Sequence, residues 1–494
     1  MIPESQQDAA AFLTALAGRK PVDTHISAVF LGPDKAWKLK KAVRLPFLDF
    51  APPAQRKHFV QHEFALNRPM APEIYLAVRG LARAPNGKLQ FCAEDAPEAE
   101  EWVLEMARIP AGDFLDEIAA KGRMTENMCR DLGDMVARLH DTAPVAQPEN
   151  ETGRIAHLIE SIAANAQESG LEHARVRHWH DLMHRQLRAQ VDLISARAEA
   201  GRVRRVHGDL HLGNLCLWHG AVLPFDALEF DENLATIDTA YDLAFLLMDL
   251  DLRAGRLAAN RVFNRYLARS GDFTLLPLLP LFLSLRAMIR AQIRALQKDP
   301  ESETYLRLAL QILHPVPSPV LAIGGLQGTG KSTLARALAP KLGPAPGALV
   351  LRSDELRKHQ HKVAPETRLP DTAYLPAANT ALNAALCAAA AEAAASGHGL
   401  IIDASFLSAD LRAAMERGIK GTGRAWLGLW LEAPLPVLTA RLNQRTGDAS
   451  DAGATVLRAA AGQDHGPISW HRLNAENRER LASEARALIR ATEP

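Results

Sequence analysis

Hydrophobic and polar positions in the first 140 residues alternate as strands do at first and recur with helical spacing later. Apolar runs are short at the start of this region and are separated by polar turn residues. We predict strands over 26–30, 36–43 and 101–109 and helices over 56–67 and 125–139. Strands followed by helices predict a small β lobe and then a larger helical lobe, an α+β arrangement.

The second half of the chain alternates between the two patterns. An apolar strand-like run begins at Val320, another ends in Leu400-Ile-Ile-Asp403, and an alanine-rich helix covers 377–395 between them. Such alternation is typical of an α/β fold with a doubly wound parallel sheet. Three prolines in 314–319 predict a stiff linker, because proline disfavours helix before it. We therefore expect a first domain over 1–313 and a second over 320–494.

Composition limits the classes of protein that these patterns allow. The chain has 494 residues, enough for two or three domains, with 57 basic and 57 acidic side chains. This balance does not favour a nucleic-acid partner. Four scattered cysteines indicate neither a zinc site nor a disulfide framework. The start of the chain lacks the pattern of a signal peptide, and the most apolar run, 275–285, is shorter than a membrane span, so we expect a cytoplasmic protein without a membrane partner.

A glycine-rich motif follows the strand at Val320. Gly325-Leu-Gln-Gly-Thr-Gly-Lys-Ser332 fits the P-loop pattern, in which backbone N–H groups surround phosphates, lysine neutralises them and serine can hold Mg²⁺. A helix beginning near Ser332 would add its positive end. The predicted nucleotide-binding residues are Gly325, Gly328, Thr329, Gly330, Lys331, Ser332 and Thr333.

Three further features of this half suggest catalysis. Asp354 and Arg357 follow the second predicted strand, and Asp403 ends the third, where it could orient Mg²⁺ or instead cap the next segment. Arg441 and Arg445 are four residues apart on one helix. They could form a lid over ATP or simply a solvated helix face.

Together with the loop, these residues resemble the small P-loop kinases, such as gluconate kinase, shikimate kinase, chloramphenicol phosphotransferase, zeta toxins and the kinase part of polynucleotide kinase. The resemblance implies that Asp354 binds or deprotonates an acceptor hydroxyl. It also implies that Arg441 and Arg445 close over ATP.

The first half carries a second catalytic motif, His207-Gly-Asp209-Leu-His-Leu-Gly-Asn214, with Asp226 twelve residues after Asn214. Kinase catalytic loops have an aspartate, an asparagine five residues later and a metal-binding aspartate beyond. In that chemistry the first acid accepts the hydroxyl proton, while the amide and the second acid hold Mg²⁺ against the triphosphate.

This motif, extended by Phe225-Asp226-Ala-Leu-Glu-Phe230, resembles the aminoglycoside phosphotransferase and choline kinase group, a branch of the protein-kinase fold. The resemblance implies that Asp209 is the catalytic base and that Asn214 and Asp226 are Mg²⁺ ligands. Asp242 is expected to brace the loop.

The lysine that anchors ATP should lie on the strand over 36–43. Lys38 and Lys40 share one face of that strand; we favour Lys40, with Lys38 as the alternative. Glu63 on the next helix is the expected acidic partner. The preceding strand lacks a G-x-G-x-x-G loop, with Thr24-His-Ile-Ser27 in its place, which leaves a regulatory lobe as an alternative.

The order of the two halves resembles a bacterial family of bifunctional aminoglycoside phosphotransferase-like and P-loop ATP-binding proteins, over nearly the entire chain. The resemblance implies two kinases that use ATP and Mg²⁺ on hydroxyl groups of small molecules. The alternatives are a chain in which only the P-loop half transfers phosphate, and a nucleotide-driven switch or nucleic-acid end-kinase. Neither the acceptors nor the oligomeric state follows from the sequence.

Overall fold

The computed structural model describes residues 1–45, 48–444 and 448–492. The chain forms two compact units. The first consists of Met1–Arg123, Ala143–Ala146 and Val203–Asp242, and the second of Met124–Thr142, Gln147–Arg202 and Leu243–Pro494.

Strands occur in both halves of the described chain. In chain order they are β1 Val22–Asp23, β2 Ser27–Leu31, β3 Lys35–Lys40, β4 Arg44–Leu45, β5 Leu48–Asp49, β6 Tyr75–Arg83, β7 Leu89–Cys92, β8 Glu101–Ala107, β9 Val203–Arg205, β10 Leu215–Trp218, β11 Ala221–Pro224, β12 Thr236–Asp238, β13 Val320–Gly325, β14 Leu349–Arg352, β15 Leu400–Asp403, β16 Trp426–Glu432 and β17 His471–Asn474.

Other described residues form α-helices. In chain order these are α1 Gln7–Ala17, α2 Pro53–Asn67, α3 Leu115–Ala120, α4 Glu126–Thr142, α5 Glu151–Glu168, α6 His173–Ala189, α7 Val191–Glu199, α8 Glu232–Ala235, α9 Thr239–Arg253, α10 Arg256–Ser270, α11 Leu279–Leu296, α12 Glu301–Ile312, α13 Lys331–Leu338, α14 Ser353–Gln360, α15 Pro376–Ala395, α16 Ala409–Gly421, α17 Leu435–Gln444, α18 Ala454–Ala461 and α19 Arg478–Thr492.

An antiparallel sheet in the order β1-β2-β3-β8-β6-β7 forms the centre of the first unit. Alternate residues of a strand point to opposite faces. Trp37 and Leu39 of β3 therefore pack in one core with Leu13 of α1, while Lys38 and Lys40 extend from the other face to Glu63 of α2. The alternation along β3 thus separates an apolar face from a charged one.

Three short antiparallel pairs, of which β4 with β5 is the first, accompany this sheet in the described part of the first unit. Strand β9 pairs with β12, and β10 pairs with β11 in a hairpin whose register sets Leu215 opposite Pro224. The loop over 206–214 connects β9 to β10, so both of its ends are fixed by ladder hydrogen bonds. This loop carries the predicted catalytic motif.

The second unit begins with helices, of which the most apolar is α11 with the turn before it. The segment Phe273–Leu296 is long and apolar enough to cross a membrane, but 67% of its most apolar 18-residue window is buried inside the fold. Leu279, Leu281 and Leu285 are among its fully buried residues. It is accordingly packed as a core helix.

A parallel sheet in the order β14-β15-β13-β16-β17 forms the other part of the second unit. Its edge strand β14 is met by Asn264 of α10, whose Oδ1 accepts from the backbone N–H of Val350 at 2.6 Å. The Nδ2 of Asn264 donates to the carbonyl of Ala348 at 3.1 Å. The asparagine amide thus satisfies edge groups that an unpaired strand would expose.

The structure confirms the predicted architecture, with an antiparallel sheet, then helices, then a doubly wound parallel sheet. The individual predictions for β2, β3, β8, α2 and α4 are also confirmed, with ends shifted by a few residues. Residues 314–319 are irregular and lie inside the second compact unit. The domain limits at 313 and 320 stay predictions.

Candidate functional site

The predicted catalytic loop of the first unit brings Asp209 and Asn214 into direct contact. The Nδ2 of Asn214 donates to the carbonyl of Asp209 at 3.0 Å and to its Oδ2 at 2.9 Å. Asp209 is 41% exposed, whereas Asn214 is buried. The loop therefore presents one carboxylate to solvent and orients it with an amide beneath.

Gly208 and Asp242 fix the shape of this loop. Gly208 has φ +81°, a conformation that strains other residues, and its N–H donates to Oδ1 of Asp242 at 2.9 Å. Asp242 is fully buried, as a structural brace should be. Burial lowers the pKa of the neighbouring His207, and the nearby acids Asp242 and Asp209 offset this only in part, so its imidazole is neutral near pH 7.

The β10–β11 hairpin places Asp226 next to the loop. The N–H of Phe225 donates to the carbonyl of Asn214 at 3.0 Å, which ties the residue before Asp226 to the other predicted Mg²⁺ ligand. Asp226 has φ +60°, and its N–H donates to the hydroxyl oxygen of Tyr75 at 2.8 Å. Tyr75 thereby supports a backbone conformation that is uncommon for aspartate.

Lys38 joins the hairpin to helix α2. Its Nζ lies 2.6 Å from Oδ1 of Asp226 and 2.8 Å from Oε1 of Glu63. Burial alone would lower the pKa of Lys38, but these two carboxylates hold it well above its usual range. Lys38 is therefore a charged ammonium in contact with the predicted metal ligand Asp226.

Lys40 lies deeper on the same face of β3. Its Nζ is 2.7 Å from Oε2 of Glu63 and also contacts Oε1 of Glu229, and its side chain is only 1% exposed. Burial would raise the pKa of Glu63, but the ammonium groups of Lys38 and Lys40 lower it to about 2. Two lysines and three carboxylates thus form one network, in which Lys38 occupies the end nearer to Asp226.

The oxygen atoms of this first site suit Mg²⁺, which prefers carboxylate, carbonyl and water ligands. Asp226 offers a carboxylate, and Asn214 offers an amide oxygen because its nitrogen is engaged by Asp209. With the carboxylate of Asp209, 41% exposed, beside them, the arrangement can hold a metal–triphosphate and accept a hydroxyl proton.

The P-loop of the second unit connects β13 to α13. Gly325 and Gly328 have φ +134° and +84°, and a Cβ on either would approach a backbone carbonyl of a neighbouring segment, at 2.5 Å and 2.8 Å. Gly330, with φ +93°, is the N-cap of α13. Glycine is required at the first two positions by both conformation and space.

The functional side chains of this loop point back onto the strand ends. Lys331 donates from Nζ to the carbonyls of Gly325 at 2.9 Å and Leu326 at 3.0 Å. Thr329 is buried and bonds to the carbonyl of Leu326, whereas Thr333 is exposed on α13. The hydroxyl of Ser332 donates to Oδ2 of Asp403 at 2.5 Å.

Asp403 lies in a charged cluster centred on Arg352. The guanidinium of Arg352 is 3.2 Å from Asp403, 2.7 Å from Glu355 and 2.9 Å from Asp448. Burial would lower the pKa of Arg352, but these acids raise it well above its usual range. The carboxylate and hydroxyl oxygens of Asp403 and Ser332 form a donor pair that suits Mg²⁺.

Asp354 lies in the first turn of helix α14, beside this cluster. Burial raises its pKa, and the charge of Asp403 adds to this, while Arg352 and a hydrogen bond from Ser450 act in the other direction. A carboxylate whose pKa is raised in this way is better matched to taking up a proton near neutral pH. Arg357 stacks on the ring of Tyr374 and donates to the carbonyl of Ala373.

A cavity of about 1890 Å³ joins these groups. It is lined by the loop 327–333, Asp354, Arg357, Asp403 and Arg441, so nearly all predicted residues of this half face one space. Its size exceeds the 300–1,000 Å³ typical of a single ligand site and leaves room for a nucleotide and an acceptor.

Of the two predicted lid arginines, Arg441 donates from Nη2 to the carbonyl of Glu476 at 3.0 Å. Arg445 lies outside the described residues.

Several residues of both sites were not predicted. Glu229 and Tyr75 of the first unit, and Arg352 and Asp448 of the second, each contact a predicted residue or its direct partner. The sequence signal for Arg352 was a charge at the end of the apolar strand β14, and Glu229 stood within the quoted Asp226 motif. Tyr75 and Asp448 meet their partners at separations of 151 and 96 residues, which no local pattern reports.

Two family models match the chain. Residues 43–278 match the phosphotransferase enzyme family, and residues 320–464 match a model described as an AAA domain. The chain therefore carries an aminoglycoside phosphotransferase-like kinase domain followed by a P-loop kinase-like domain, as its sequence predicted.

Relatives that span both parts of the chain carry the name of uncharacterised proteins. Proteins of Mycobacterium bovis and Mycobacterium tuberculosis are 28% identical over 484 residues, which is 94% of this chain and 94% of theirs.

Solved structures match one part each. A gluconokinase from Sinorhizobium meliloti is 21% identical, with 36% of this chain and 95% of that chain covered and a TM-score of 0.25. An aminoglycoside 2'-phosphotransferase-IIIa in complex with GDP is 12% identical, with 63% and 97% covered and a TM-score of 0.38. A choline kinase from Cryptosporidium parvum is 10% identical, with 59% and 88% covered and a TM-score of 0.38.

Proposed function

We propose that this protein is an ATP- and Mg²⁺-dependent phosphotransferase with two active kinase domains. Each would transfer the γ-phosphate to a hydroxyl group of a small molecule such as a sugar, polyol or nucleoside. One observation carries the proposal: in each site the proposed metal-binding aspartate contacts a second side chain proposed to bind the phosphates or the metal. Asp226 is 2.6 Å from Lys38, and Asp403 is 2.5 Å from the hydroxyl of Ser332.

In the first domain, Asp209 accepts the proton of the acceptor hydroxyl as the oxygen attacks the γ-phosphorus. The bond from that phosphorus to the β–γ bridging oxygen breaks, and ADP leaves. Asn214 orients that carboxylate through its 2.9 Å hydrogen bond. Lys38 exchanges Asp226 for the phosphates of ATP and remains paired with Glu63. Although the sequence favours Lys40 for this role, we propose Lys38, because Lys40 is buried between Glu63 and Glu229.

In the second domain, the loop N–H groups and Lys331 bind the β- and γ-phosphates. Lys331 moves from the carbonyls of Gly325 and Leu326, which are neutral partners that it can leave. Asp354 accepts the proton of the second acceptor, and Arg441 closes over the nucleotide. Asn214 with Asp226, and Ser332 with Asp403, would hold Mg²⁺, which neutralises the charge that develops on the phosphates.

The alternative is that only the P-loop domain transfers phosphate and the first domain binds a ligand or regulates. A specific observation favours it: the β1–β2 connection spans only residues 24–26 and contains no glycine. A kinase normally covers the phosphates with a glycine-rich loop at this point. The division at 314–319 and a cytoplasmic location are also part of the proposal.

The test measures ATP consumption against a pooled library of sugars, polyols, nucleosides and aminoglycosides. Wild type would be compared with Asp209→Asn and Lys331→Met, each with a matched control, Asp95→Asn and Lys341→Met, which change residues of the same kinds outside both sites. We expect Asp209→Asn to lower turnover of one acceptor by about 10²–10⁴-fold.

Loss of turnover on different acceptors in the two variants would support two kinases and identify both substrates. Loss of all turnover in Lys331→Met, with Asp209→Asn unchanged, would reject activity in the first domain and support the alternative. Turnover that both variants retain would reject the proposal as a whole.

A further inference from the structure

Within the described residues, three side chains outside both nucleotide sites converge on one point of the surface. The Nε2 atoms of His180 and His184 lie 3.0 Å and 2.8 Å from the same oxygen, Oε1 of Glu160. The three ligand atoms all lie within 4.8 Å of one another. We call this set the His–Glu cluster.

Core packing between helices α5 and α6 holds the His–Glu cluster in place. Helices α5 and α6 pack against each other and are joined by four residues, 169–172. His180 and His184 are one helical turn apart on α6, so both face α5. The neighbouring residues Ile159, Trp179 and Met183 are fully buried, and Trp179 donates to Ser284 at 2.9 Å. The register of the two helices is therefore fixed by core packing.

The three donors have the chemistry of a transition-metal site. Zn²⁺ and related ions bind imidazole nitrogen and carboxylate oxygen at about 2.0–2.2 Å, and a three-ligand site leaves one position for water. Mg²⁺ and Ca²⁺ prefer sites made of oxygen atoms only. The side-chain hydrogen bonds of Glu160 in the described part of the chain are to these two imidazoles, so an incoming cation would not have to displace lysine or arginine.

A second acid lies close to the cluster. Oδ1 of Asp181 is 3.7 Å from Nδ1 of His180, the ring nitrogen that would face away from the metal. Carboxylates in this position raise the basicity of a metal-bound imidazole once they come within hydrogen-bonding distance. The exposed fractions of His180 and His184, 29% and 23%, leave the point of convergence open to ions from solvent.

We propose that Glu160, His180 and His184 bind one divalent transition-metal ion of the Zn²⁺ class, separate from the Mg²⁺–nucleotide sites. The bound ion connects α5 to α6 and stabilises this helical hairpin. Neither the phosphotransferase chemistry nor the two nucleotide motifs requires it.

The test is a Zn²⁺ titration of the full chain without a polyhistidine tag, in metal-free buffer and again with excess Mg²⁺. Wild type would be compared with His184→Gln, Glu160→Gln and the control His178→Gln, which changes an exposed histidine of α6 outside the cluster. Thermal unfolding with and without Zn²⁺ gives a second readout, since an ion that binds only the native state raises the melting temperature.

We expect wild type and His178→Gln to bind one Zn²⁺ that Mg²⁺ does not displace, with a rise in melting temperature. His184→Gln and Glu160→Gln should bind at least about 10-fold more weakly and lose that rise. Equal affinity in wild type and His184→Gln, or displacement of the Zn²⁺ by Mg²⁺, would overturn the proposal. So would wild-type protein that takes up no Zn²⁺.

Discussion

The two proposed nucleotide sites differ in what holds their lysines. Lys331 of the P-loop is bonded to two neutral backbone carbonyls, at 2.9 Å and 3.0 Å. Lys38 of the catalytic-loop site is held by two carboxylates, at 2.8 Å and 2.6 Å. A carboxylate, with its full negative charge, attracts an ammonium more strongly than a neutral carbonyl does. Leaving the two carboxylates therefore costs Lys38 more than leaving the two carbonyls costs Lys331.

The difference bears on how each proposed site would take up ATP. In the P-loop the backbone would supply the phosphate-binding groups, and Lys331 would turn from the two carbonyls to the phosphates. In the first site, Lys38 would leave Asp226 without a counterion when it turns to the phosphates. An unpaired charge in a partly buried site is costly, so a cation would have to replace Lys38 beside Asp226. We infer that phosphate binding in the first site depends on a metal ion arriving with the nucleotide.

The largest expected effect is a difference in unfolding free energy between the variants Lys40→Met and Lys38→Met. Lys40→Met removes a cation from between the buried acids Glu63 and Glu229, and we expect a loss of about 3–5 kcal/mol in the free energy of unfolding. Lys38→Met leaves Glu63 paired with Lys40 and should cost about 1–2 kcal/mol. Urea unfolding of both variants, with nucleotide binding measured alongside, checks this.

Of the two variants, only Lys38→Met should abolish nucleotide binding in the first domain while the protein stays folded. If Lys38→Met bound nucleotide normally and folded Lys40→Met did not, the assignment of the phosphate anchor to Lys38 would be wrong.

The next effect concerns the P-loop. Lys331→Met should lower turnover in the second domain by about 10²–10³-fold, because it removes one preorganised cation from the developing phosphate charge. Steady-state kinetics with Lys341→Met as the control measures the loss. Turnover within a few-fold of wild type would contradict the role given to Lys331.

A buried histidine gives a pH-dependent effect in the second unit. His398 contacts the carbonyl of Gly347 at 2.9 Å, and burial lowers its pKa from 6.5 to about 4. The unfolded chain then binds more protons than the folded chain between these two values, so stability is present above pH 6.5 and falls as the pH drops towards 4.

From pH 7 to pH 5, wild type should lose about 2 kcal/mol more of its unfolding free energy than His398→Gln. The measurement compares the pH slopes of urea unfolding in the two proteins rather than their absolute stabilities. Parallel slopes would show that this histidine does not titrate on unfolding.

Removal of Mg²⁺ gives the smallest effect and bears directly on the comparison of the sites. With EDTA present, nucleotide affinity of the first site should fall by at least about tenfold more than that of the P-loop, or about 1.4 kcal/mol. Isothermal titration of Lys331→Met and Lys38→Met isolates each site in turn. An equal loss at both sites would remove the distinction between their lysines.

The sequence predicted the parts of both sites that are continuous in the chain. Local patterns in the sequence identified the P-loop, the Asp209–Asn214 loop and the strand that carries Lys38 and Lys40. In the strand, the spacing of two residues also fixes that both lysines lie on one face. The choice between the two lysines could not be predicted, because it depends on Glu229 and Asp226, which lie 189 and 188 residues away. Arg352 was missed for the same reason, since its partners Asp403 and Asp448 come from distant segments.

Helices α5 to α7 show a further limit of prediction from sequence. Their amphipathic pattern allows helices, but the pairing that brings Glu160 to His180 and His184 is a property of packing. Motifs made of consecutive residues are therefore visible in the sequence, and sites assembled from two or three elements are visible only in the fold.

The most direct test of two separate nucleotide sites is the stoichiometry of binding of a non-hydrolysable ATP analogue in the presence of Mg²⁺. Wild type, Lys38→Met, Lys331→Met and the double variant would be titrated under the same conditions. Our account predicts two equivalents for wild type, one for each single variant and none for the double variant. A single equivalent in wild type that Lys38→Met retains and Lys331→Met loses would contradict it.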